Sequence, residues 1–346
     1  MRALVGLILR FGIIELFVAV FILINVVTFL LYAMDKRKAI KNKWRISERV
    51  LIFFTLALGG FGALLAIWFL RHKTKKKKFK IALVIGVLVA LIPVVHIVHS
   101  LTLDRIIRFV EIDFGSANWP YELEGYRIAF MTDMHTISTE GMQGVADELN
   151  QKNIDLLILG GDFSMADGHY RNILREISQI NTTDGIFGVE GNHDDYARLF
   201  EAKNYYGIVP LDNSGLHIAG GFYLAGVQDM WNRNPNITQA INQAYADDFI
   251  LLVSHNPDIA MLQPTSDISL ILAGHTHGGQ ITLFGFPFYL LRGSITNYGT
   301  RFAYGFAYSA DNIPVFVSRG IGVYYDIPRV FARPEVVIFT MHTVIE

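Results

Sequence analysis

The first hundred residues alternate long apolar runs with short basic segments. The first run is interrupted only by Glu15, Asn25 and Thr28, and a helix of this length can span a bilayer. It is followed by Asp35-Lys36-Arg37-Lys38, a basic stop that retains a helix in the membrane, so we predict a span and not a cleaved signal peptide. The three apolar runs cover residues 11–33, 50–70 and 81–101.

The middle run, 50–70, leaves two arrangements open. The segments on either side of it, 35–49 and 71–80, are both strongly basic, and the positive-inside rule places both in the cytoplasm. Three full crossings contradict that rule. The run is therefore either a hairpin that bends at Gly59-Gly60 and returns, or one crossing with a basic segment translocated. We favour the crossing, because 21 residues make one ordinary span and non-helical backbone at depth needs protein cover.

The basic segments also predict the side of the membrane on which the rest of the chain lies. Segment 71–80 is the denser cluster and the last before the remainder of the chain. If it is cytoplasmic, the third apolar run delivers residues 102–346 to the outside. We expect a multi-pass protein of the cell membrane, with about three hydrophobic helices and two basic loops in a membrane domain (1–101) and a globular domain (102–346) facing outside.

From residue 102 the pattern changes to short apolar strands, each of which ends in polar residues. Helical stretches between such strands are typical of an α/β domain with a largely buried sheet. Sheets of this class bind ligands beyond the carboxyl ends of their strands. Five strands end in such motifs: Asp133-Met134-His135, Gly160-Gly161-Asp162, Gly191-Asn192-His193-Asp194, His255-Asn256-Pro257-Asp258 and Gly274-His275-Thr276-His277-Gly278.

These five motifs offer a set of metal donors. An N-cap or turn role would explain a single Asp or Asn, but it does not explain five strand ends together. The donors are oxygen and nitrogen without sulfur, and they are too many for one four-coordinate zinc ion. They fit two divalent ions that share a bridging carboxylate, and the mixed imidazole and carboxylate set suits manganese, iron, zinc or cobalt. The seven donors are Asp133, His135, Asp162, Asn192, His255, His275 and His277.

The net charge of −1 conceals an uneven distribution. Residues 1–101 carry a net charge of +13, and residues 102–346 carry −14. An acidic globular domain lacks the basic footprint of a nucleic-acid binder, so we expect no nucleic-acid partner. The chain has no cysteine, which excludes disulfides and thiolate ligands.

The five motifs, in this order, resemble the signature blocks of the calcineurin-like metallophosphoesterase superfamily, over about residues 125–340. The resemblance implies an α/β fold, a four-layer sandwich of two mixed sheets flanked by helices. It also implies the metal roles: Asp133, His135 and His277 hold the first ion, Asn192, His255 and His275 hold the second, and Asp162 bridges both.

The same resemblance points to catalytic residues beside the metal donors. His193 follows a donor without being one, and as an imidazolium it could stabilise charge on the transferring group or protonate the leaving oxygen. Asp194 could orient this imidazole, and Asp195 is the alternative. For the substrate, Arg319 is our best candidate among three arginines in loops rich in Gly and Tyr; the other two are Arg292 and Arg301.

The membrane region is similar to a small bacterial integral-membrane domain of unknown function. The residues that carry this resemblance are 32–36 (YAMDK), 45–48 (RISE), 59–63 (GGFGA) and 72–74 (HKT). We therefore predict a membrane-anchored, dimetal phosphoric ester hydrolase in contact with membrane lipids. Its leading substrate is a phosphodiester or pyrophosphate in a lipid-linked or envelope molecule. The alternative is a membrane sensing or transport protein whose phosphoesterase-like domain binds a ligand without turnover.

Overall fold

The chain divides into two compact units, Met1–Leu101 and Thr102–Glu346. The structure is a computed structural model. It describes residues 13–163, 167–194, 196–288, 295–324 and 327–344.

The described part of the first unit is helical. Among the helices that the structure describes, only α1 and α4 are long and apolar enough to cross a membrane. At 1.5 Å per residue, α2 and α3 are about 14 and 17 Å long, well short of the roughly 30 Å hydrocarbon core. The helices are α1 (Ile13–Ile40), α2 (Glu48–Leu56), α3 (Gly60–Leu70) and α4 (Lys77–Leu101).

The structure does not form the single crossing that we favoured for residues 50–70. The backbone breaks between α2 and α3, where Leu58 has a φ of 67°. The side chain of Asn25 supplies the cover that such a break needs: its Nδ2 donates to the Leu58 carbonyl at 3.1 Å, and its Oδ1 accepts from the Gly62 amide at 2.8 Å. A Cβ at Gly62 would lie 2.0 Å from the Asn25 carbonyl oxygen, so only glycine allows this approach. The expectation of one crossing was therefore wrong.

The start of α2 and the end of α3 lie at the same end of the unit. The fully buried Asp35 carboxylate, near the end of α1, accepts from Arg45 before α2 and lies 2.7 Å from His72 Nε2 after α3. Lys73 also pairs with Glu48 at 2.8 Å, which joins the start of α2 to the segment after α3. Both basic segments therefore lie at one end of the unit, which is the hairpin arrangement.

Helices α1 and α4 leave much of their apolar surface uncovered. Leu23 on α1 and Val84 on α4 are each 60% exposed, and many of their apolar neighbours are also exposed. A soluble protein rarely exposes continuous apolar surface of this extent, whereas a bilayer covers it. These two helices indicate membrane association.

The second unit contains two six-stranded mixed sheets. The first has the order β1-β12-β2-β3-β4-β5, in which β2 to β5 are parallel and β12 is antiparallel to β2. The second has the order β10-β11-β9-β8-β7-β6, with antiparallel edge strands. The strands are β1 (Arg108–Ser116), β2 (Arg127–Met131), β3 (Leu156–Leu159), β4 (Ile186–Gly188), β5 (Ile208–Pro210), β6 (Ser214–Ala219), β7 (Phe222–Gly226), β8 (Phe249–Val253), β9 (Leu270–Ala273), β10 (Gly305–Tyr308), β11 (Pro314–Val317) and β12 (Glu335–Thr343).

Helices cover the outer faces of both sheets. The central strands are apolar on both faces because each face meets another layer. In β8, Leu251 points into the core between the sheets, whereas Ile250 packs under the outer helices. Helices α5 (Thr139–Leu149), α6 (Asp167–Ile177) and α7 (Tyr196–Tyr206) accompany the first sheet, and the short α8 (Ile237–Ala240) and α9 (Ile259–Leu262) accompany the second. The predicted four-layer sandwich is confirmed.

Candidate metal centre

The five polar motifs follow β2, β3, β4, β8 and β9, and their loops are joined by hydrogen bonds. Within the first sheet, the Met134 amide donates to the Asp162 carbonyl at 2.8 Å. Between the sheets, the His275 amide donates to the Asp133 carboxylate at 3.0 Å. His255 Nδ1 lies 2.8 Å from the Gly160 carbonyl, to which it donates. The carboxyl ends of strands from both sheets therefore meet at one site.

The seven sequence-predicted donors form two groups there. In one group, His277 Nε2 lies 3.3 Å from Asp133 Oδ1 and 3.0 Å from His135 Nε2. In the other, His255 Nε2 lies 3.1 Å from Asn192 Oδ1 and 3.2 Å from His275 Nδ1.

Asp162 lies between the two groups. Its Oδ2 is 3.3 Å from His135 Nε2 and also 3.3 Å from His255 Nε2. Its Oδ1 accepts from the His193 amide at 2.8 Å, which fixes the orientation of the carboxylate. One carboxylate therefore has a donor group on either side.

The backbone is strained at most of these donors. Non-glycine residues rarely adopt positive φ, and Asn, Asp and His are the ones that tolerate it best. Strain of this kind persists where surrounding contacts impose it, and it concentrates at functional sites. The donors with positive φ are Asp133 (53°), His135 (37°), Asp162 (56°), His275 (71°) and His277 (52°).

The facing imidazoles fit a bound cation. His255 Nδ1 donates to Gly160, and His275 Nε2 lies 3.0 Å from the Ile295 carbonyl, to which it donates. In the neutral rings the remaining nitrogens carry lone pairs, and these two nitrogens face each other at 3.2 Å. Two lone pairs repel at this distance, and the conflict is removed either by a proton on His255 Nε2 or by a cation that both nitrogens bind. The outer hydrogen bonds also fix the tautomer, as they do for histidine ligands of metals.

Burial sets the protonation of the site. It lowers the pKa of His135 to about 4, and it lowers that of His275 to about 3 with help from nearby His255, so both rings are neutral ligands at pH 7. At His255, burial alone would lower the pKa, but the Asp162 carboxylate outweighs it and raises the pKa to about 10. A cation bound between these groups would take the place of that proton.

The structure places Asp194 differently from the sequence-based expectation that it orients His193. Its carboxylate accepts from the amides of Asp162 at 2.6 Å, Gly191 at 2.8 Å and Phe163 at 3.0 Å. These amides belong to the loops after β3 and β4, each of which carries a predicted donor. Asp194 therefore ties two donor loops together, and its oxygens face backbone amides because the turn folds back over the neighbouring loop. The alternative, Asp195, lies outside the described residues.

His193 lies at the cavity wall beside the donors. Its ring centroid is 5.4 Å from that of His135 and 5.2 Å from that of Tyr324. Sequence reasoning did not single out Tyr324, because an aromatic residue in a loop carries no motif. The ring of His193 is thus held next to the metal donors without belonging to either group.

The candidate substrate arginine, Arg319, forms an ion pair within the domain. Arg319 Nη1 donates to the buried Glu335 carboxylate at 3.0 Å, and its guanidinium lies 3.9 Å from the Tyr304 ring centroid. Arg301 donates to the Tyr308 carbonyl at 2.8 Å, and Arg292 lies outside the described residues. In the guanidinium of Arg319, only Nη1 is engaged by Glu335, and a substrate role for its other N–H groups stays a prediction.

One arginine that sequence reasoning missed supports a donor directly. Arg329 is 2% exposed, and its Nη1 donates to the His277 carbonyl at 3.2 Å and to the Ala332 carbonyl at 3.0 Å. Its Nη2 also lies 3.4 Å from His277 Nδ1. No spacing pattern in the sequence distinguishes this arginine from a surface one, because its role depends on burial.

A cavity of about 520 Å³ opens over the donors. Its floor includes donors from both groups, with His193 at the side. Its remaining wall is largely apolar and aromatic: Trp231, Ile281, Phe288, Ile295, Tyr324 and Ile327. The Trp231 ring packs edge-on against the ring of the donor His275, with centroids 4.7 Å apart. The site can therefore bring a ligand with apolar parts to a cluster of metal donors.

Two buried donor groups thus lie at the carboxyl ends of two facing mixed sheets, an arrangement that is suited to bind divalent metal ions. Residues 126–279 match the calcineurin-like phosphoesterase family, and residues 25–79 match the family described as a protein of unknown function (DUF1294). The chain thus has a calcineurin-like metallophosphoesterase domain, of a family of metal-dependent phosphoester hydrolases, and an N-terminal DUF1294 domain.

Individual relatives agree with the metallophosphoesterase assignment. The chain is 30% identical to an uncharacterized metallophosphoesterase of Helicobacter pylori, over 60% of this chain and 57% of that protein. It is 28% identical to a transmembrane protein with metallophosphoesterase domain of Danio rerio, over 66% and 56%. It is 27% identical to the phosphodiesterase YaeI of Escherichia coli, over 61% and 80%. The chain spans a little over half the length of the first curated relatives it matches.

Proposed function

We propose that the protein is a membrane-anchored phosphoesterase that uses two divalent ions to hydrolyse a phosphodiester or pyrophosphate bond. The observation that carries this proposal is the position of Asp162, whose Oδ2 lies 3.3 Å from an imidazole nitrogen of each donor group. A protonated His255 would balance the charge of this carboxylate, but it does not account for the neutral His135 on the other side or for the remaining donors. Two ions that share a carboxylate account for all seven donors together.

The chain's own residues have distinct roles in this proposal. Asp133, His135 and His277 would hold one ion, Asn192, His255 and His275 would hold the other, and Asp162 would contribute to both. Manganese, iron, zinc or cobalt ions in this site would polarise a phosphoryl oxygen and lower the pKa of a bound water. His193, at the cavity wall, donates a proton or a hydrogen bond to the leaving oxygen. Asp194 holds the loops after β3 and β4 together through hydrogen bonds to their backbone amides.

Hydrolysis of bis-p-nitrophenyl phosphate by the full chain in detergent, with and without added manganese, tests this proposal. We expect metal-dependent turnover that Asn192→Ala abolishes. The control is Asn204→Ala, at an exposed position on α7. Metal-dependent binding of the ester without release of p-nitrophenolate would instead favour the sensing or transport protein.

We propose further that residues 102–346 face the outside of the cell membrane. Two observations support this topology: only α1 and α4 among the described helices are long enough to cross, and the short α2 and α3 return both basic segments to one end. With that end cytoplasmic, the positive-inside rule is satisfied and α4 leads outward.

Labelling of single cysteines in intact cells tests this topology, because the chain has none of its own. A membrane-impermeant maleimide should label Glu122→Cys directly, and it should label Trp44→Cys only after lysis. Both positions are exposed. The reverse pattern would place the hydrolase domain in the cytoplasm.

The substrate we propose is a lipid-linked or cell-envelope phosphoester. The apolar wall of the cavity supports this choice, since Ile281, Phe288 and Ile327 offer hydrocarbon surface to an apolar part of the substrate. The membrane-associated N-terminal helices keep the chain where such substrates lie. Arg319 stays a prediction as a substrate residue.

A further inference from the structure

A short hairpin follows the last metal-donor motif. Leu283 and Phe286 pair through two backbone hydrogen bonds of 2.9 and 3.0 Å, and Phe284 and Gly285 form the turn with φ values of 51° and 89°. The Thr282 hydroxyl accepts from the Gly285 amide at 2.9 Å.

The rest of the domain fixes this hairpin in place. The Thr282 hydroxyl also donates to the Val330 carbonyl at 3.0 Å, and the Tyr304 hydroxyl donates to the Gly285 carbonyl at 3.1 Å. The Phe284 and Phe331 rings meet edge to face with centroids 5.4 Å apart. The conformation of the tip is therefore set by polar contacts at its base and not by burial of its own side chains.

The hairpin nevertheless presents four large apolar side chains to the surroundings. Leu283 is 49% exposed, Phe284 56%, Phe286 52% and Phe288 49%. Single exposed apolar residues are ordinary, but four within six residues on a fixed tip are characteristic of an interaction surface. We call residues 283–288 the apolar tip.

The apolar tip is continuous with the wall of the active-site cavity. Ile281, two residues before it, and Phe288, its last residue, both line the cavity together with the metal donors. An apolar strip thus runs from the surface to the site of the proposed chemistry. A partner that covers the tip would also lie at the cavity entrance.

The link to the membrane-associated helices favours a bilayer over a protein as that partner. The chain passes from α4, which ends at Leu101, directly into this domain, so a bilayer is within reach of it. The exposed Arg301 adds one basic group on a segment that holds the tip, whereas Arg329 is buried and the Asp104 carboxylate accepts from the Phe331 amide at 2.8 Å. The apolar side chains of the tip, and not the charge around it, therefore suit the surface of a bilayer.

We propose that the apolar tip inserts into the bilayer surface, so that the cavity opens at the lipid interface and takes its phosphoester directly from the membrane. This inference rests on the proposed phosphoesterase function and adds the source from which the substrate is taken.

A depth measurement tests the insertion. The full chain is reconstituted in vesicles with anionic phospholipid, and Phe284→Cys carries the only thiol and a nitroxide label. We expect this label to be accessible to oxygen in the lipid and shielded from a water-soluble nickel chelate. The same label at the exposed Asn242, in the Asn242→Cys control, should show the opposite preference. A Phe284→Cys label as accessible to nickel as the control overturns the proposal, and so does a label shielded from both reagents, which would indicate a protein partner.

A kinetic comparison tests the consequence for catalysis. The double variant Phe284→Ser/Phe286→Ser changes side chains that do not line the cavity. It should lower turnover of a phosphodiester lipid presented in vesicles by at least about tenfold. It should leave turnover of soluble bis-p-nitrophenyl phosphate unchanged. Equal activity of the variant and the parent on the lipid in vesicles overturns the insertion. If the parent protein does not hydrolyse soluble bis-p-nitrophenyl phosphate at all, the proposed function is overturned instead.

Discussion

Replacement of Asp194 by Asn separates two roles for this carboxylate. The structure gives it three backbone donors, the amides of Asp162, Gly191 and Phe163, at 2.6 to 3.0 Å. The Asp162 and Gly191 amides share Oδ2, whereas the Phe163 amide donates to Oδ1. An asparagine can keep one oxygen acceptor, but its NH₂ group then faces the remaining amide, so at least one charge-assisted bond is lost.

The magnitude follows from the number of bonds. A hydrogen bond to a charged group contributes about 1.5–3 kcal/mol, and we take a net loss of about 2 kcal/mol for the variant. If this loss falls on the metal-bound arrangement of the two loops, the dissociation constant for the metal rises about 30-fold. That figure lies within the range of about 10- to 100-fold that is typical for residues which orient metal ligands.

The assay is the dependence of turnover on manganese concentration, combined with calorimetric titration of the metal. We expect Asp194→Asn to shift the manganese requirement upward, and saturating manganese to restore most of kcat. The control is Asp113→Asn, whose carboxylate is 85% exposed, and it should behave as the parent. An unchanged metal affinity with a lowered kcat would refute the reasoning, because it is the result expected if Asp194 orients His193.

Three further predictions concern other parts of the structure. A chelator should lower the melting temperature of the hydrolase domain, since a ligand present at 100 times its dissociation constant stabilises the folded state by about 2.7 kcal/mol. In Asp162→Asn, the melting temperature should not change when a chelator is added. A chelator effect that persists in this variant would speak against the shared carboxylate. Asn25→Leu leaves the Leu58 carbonyl and the Gly62 amide without their partner, at a cost of about 1–3 kcal/mol for each unsatisfied group. This variant should lower the melting temperature of the membrane unit in detergent. The control Val20→Leu, at an exposed position, should not lower it. Asp35→Asn removes the charge that Arg45, His72 and Lys73 share, and loss of a buried ion pair costs about 3–5 kcal/mol. We expect a protease to cut the basic segments of this variant faster than those of the control Glu15→Gln, whose position is exposed. Equal digestion of the two variants would contradict this prediction.

The sequence predicts the hydrolase fold well, because the signals that define it are local. Short apolar strands buried on both faces, each ending in a donor, predict a sandwich with its site at the carboxyl ends. His255 and Asp162 could be chosen from these strand ends alone, and the structure brings them to 3.3 Å. The choice did not require knowledge of the loop conformations.

The features that sequence reasoning missed depend on the path of the backbone. Asp194 appears in the sequence as a neighbour of His193, but a tight turn directs its oxygens to amides of its own loop and of the loop after β3. The glycines at 59–60 left a break in residues 50–70 open as one of two arrangements, but the contact that supports the break at Leu58 comes from one side chain, Asn25, on a different helix. Arg329 acts because it is buried, which spacing does not report.

The positive φ values at five metal donors have a consequence for which residues can replace them. Glutamate and cysteine also bind metals, yet they tolerate left-handed backbone poorly, whereas aspartate, asparagine and histidine tolerate it comparatively well. Two requirements therefore restrict the residue types that can serve as metal ligands at these positions: they must bind the metal, and they must tolerate a positive φ. An engineer who wishes to change the metal preference by a swap such as Asp133→Glu must first reshape the turn that carries the residue.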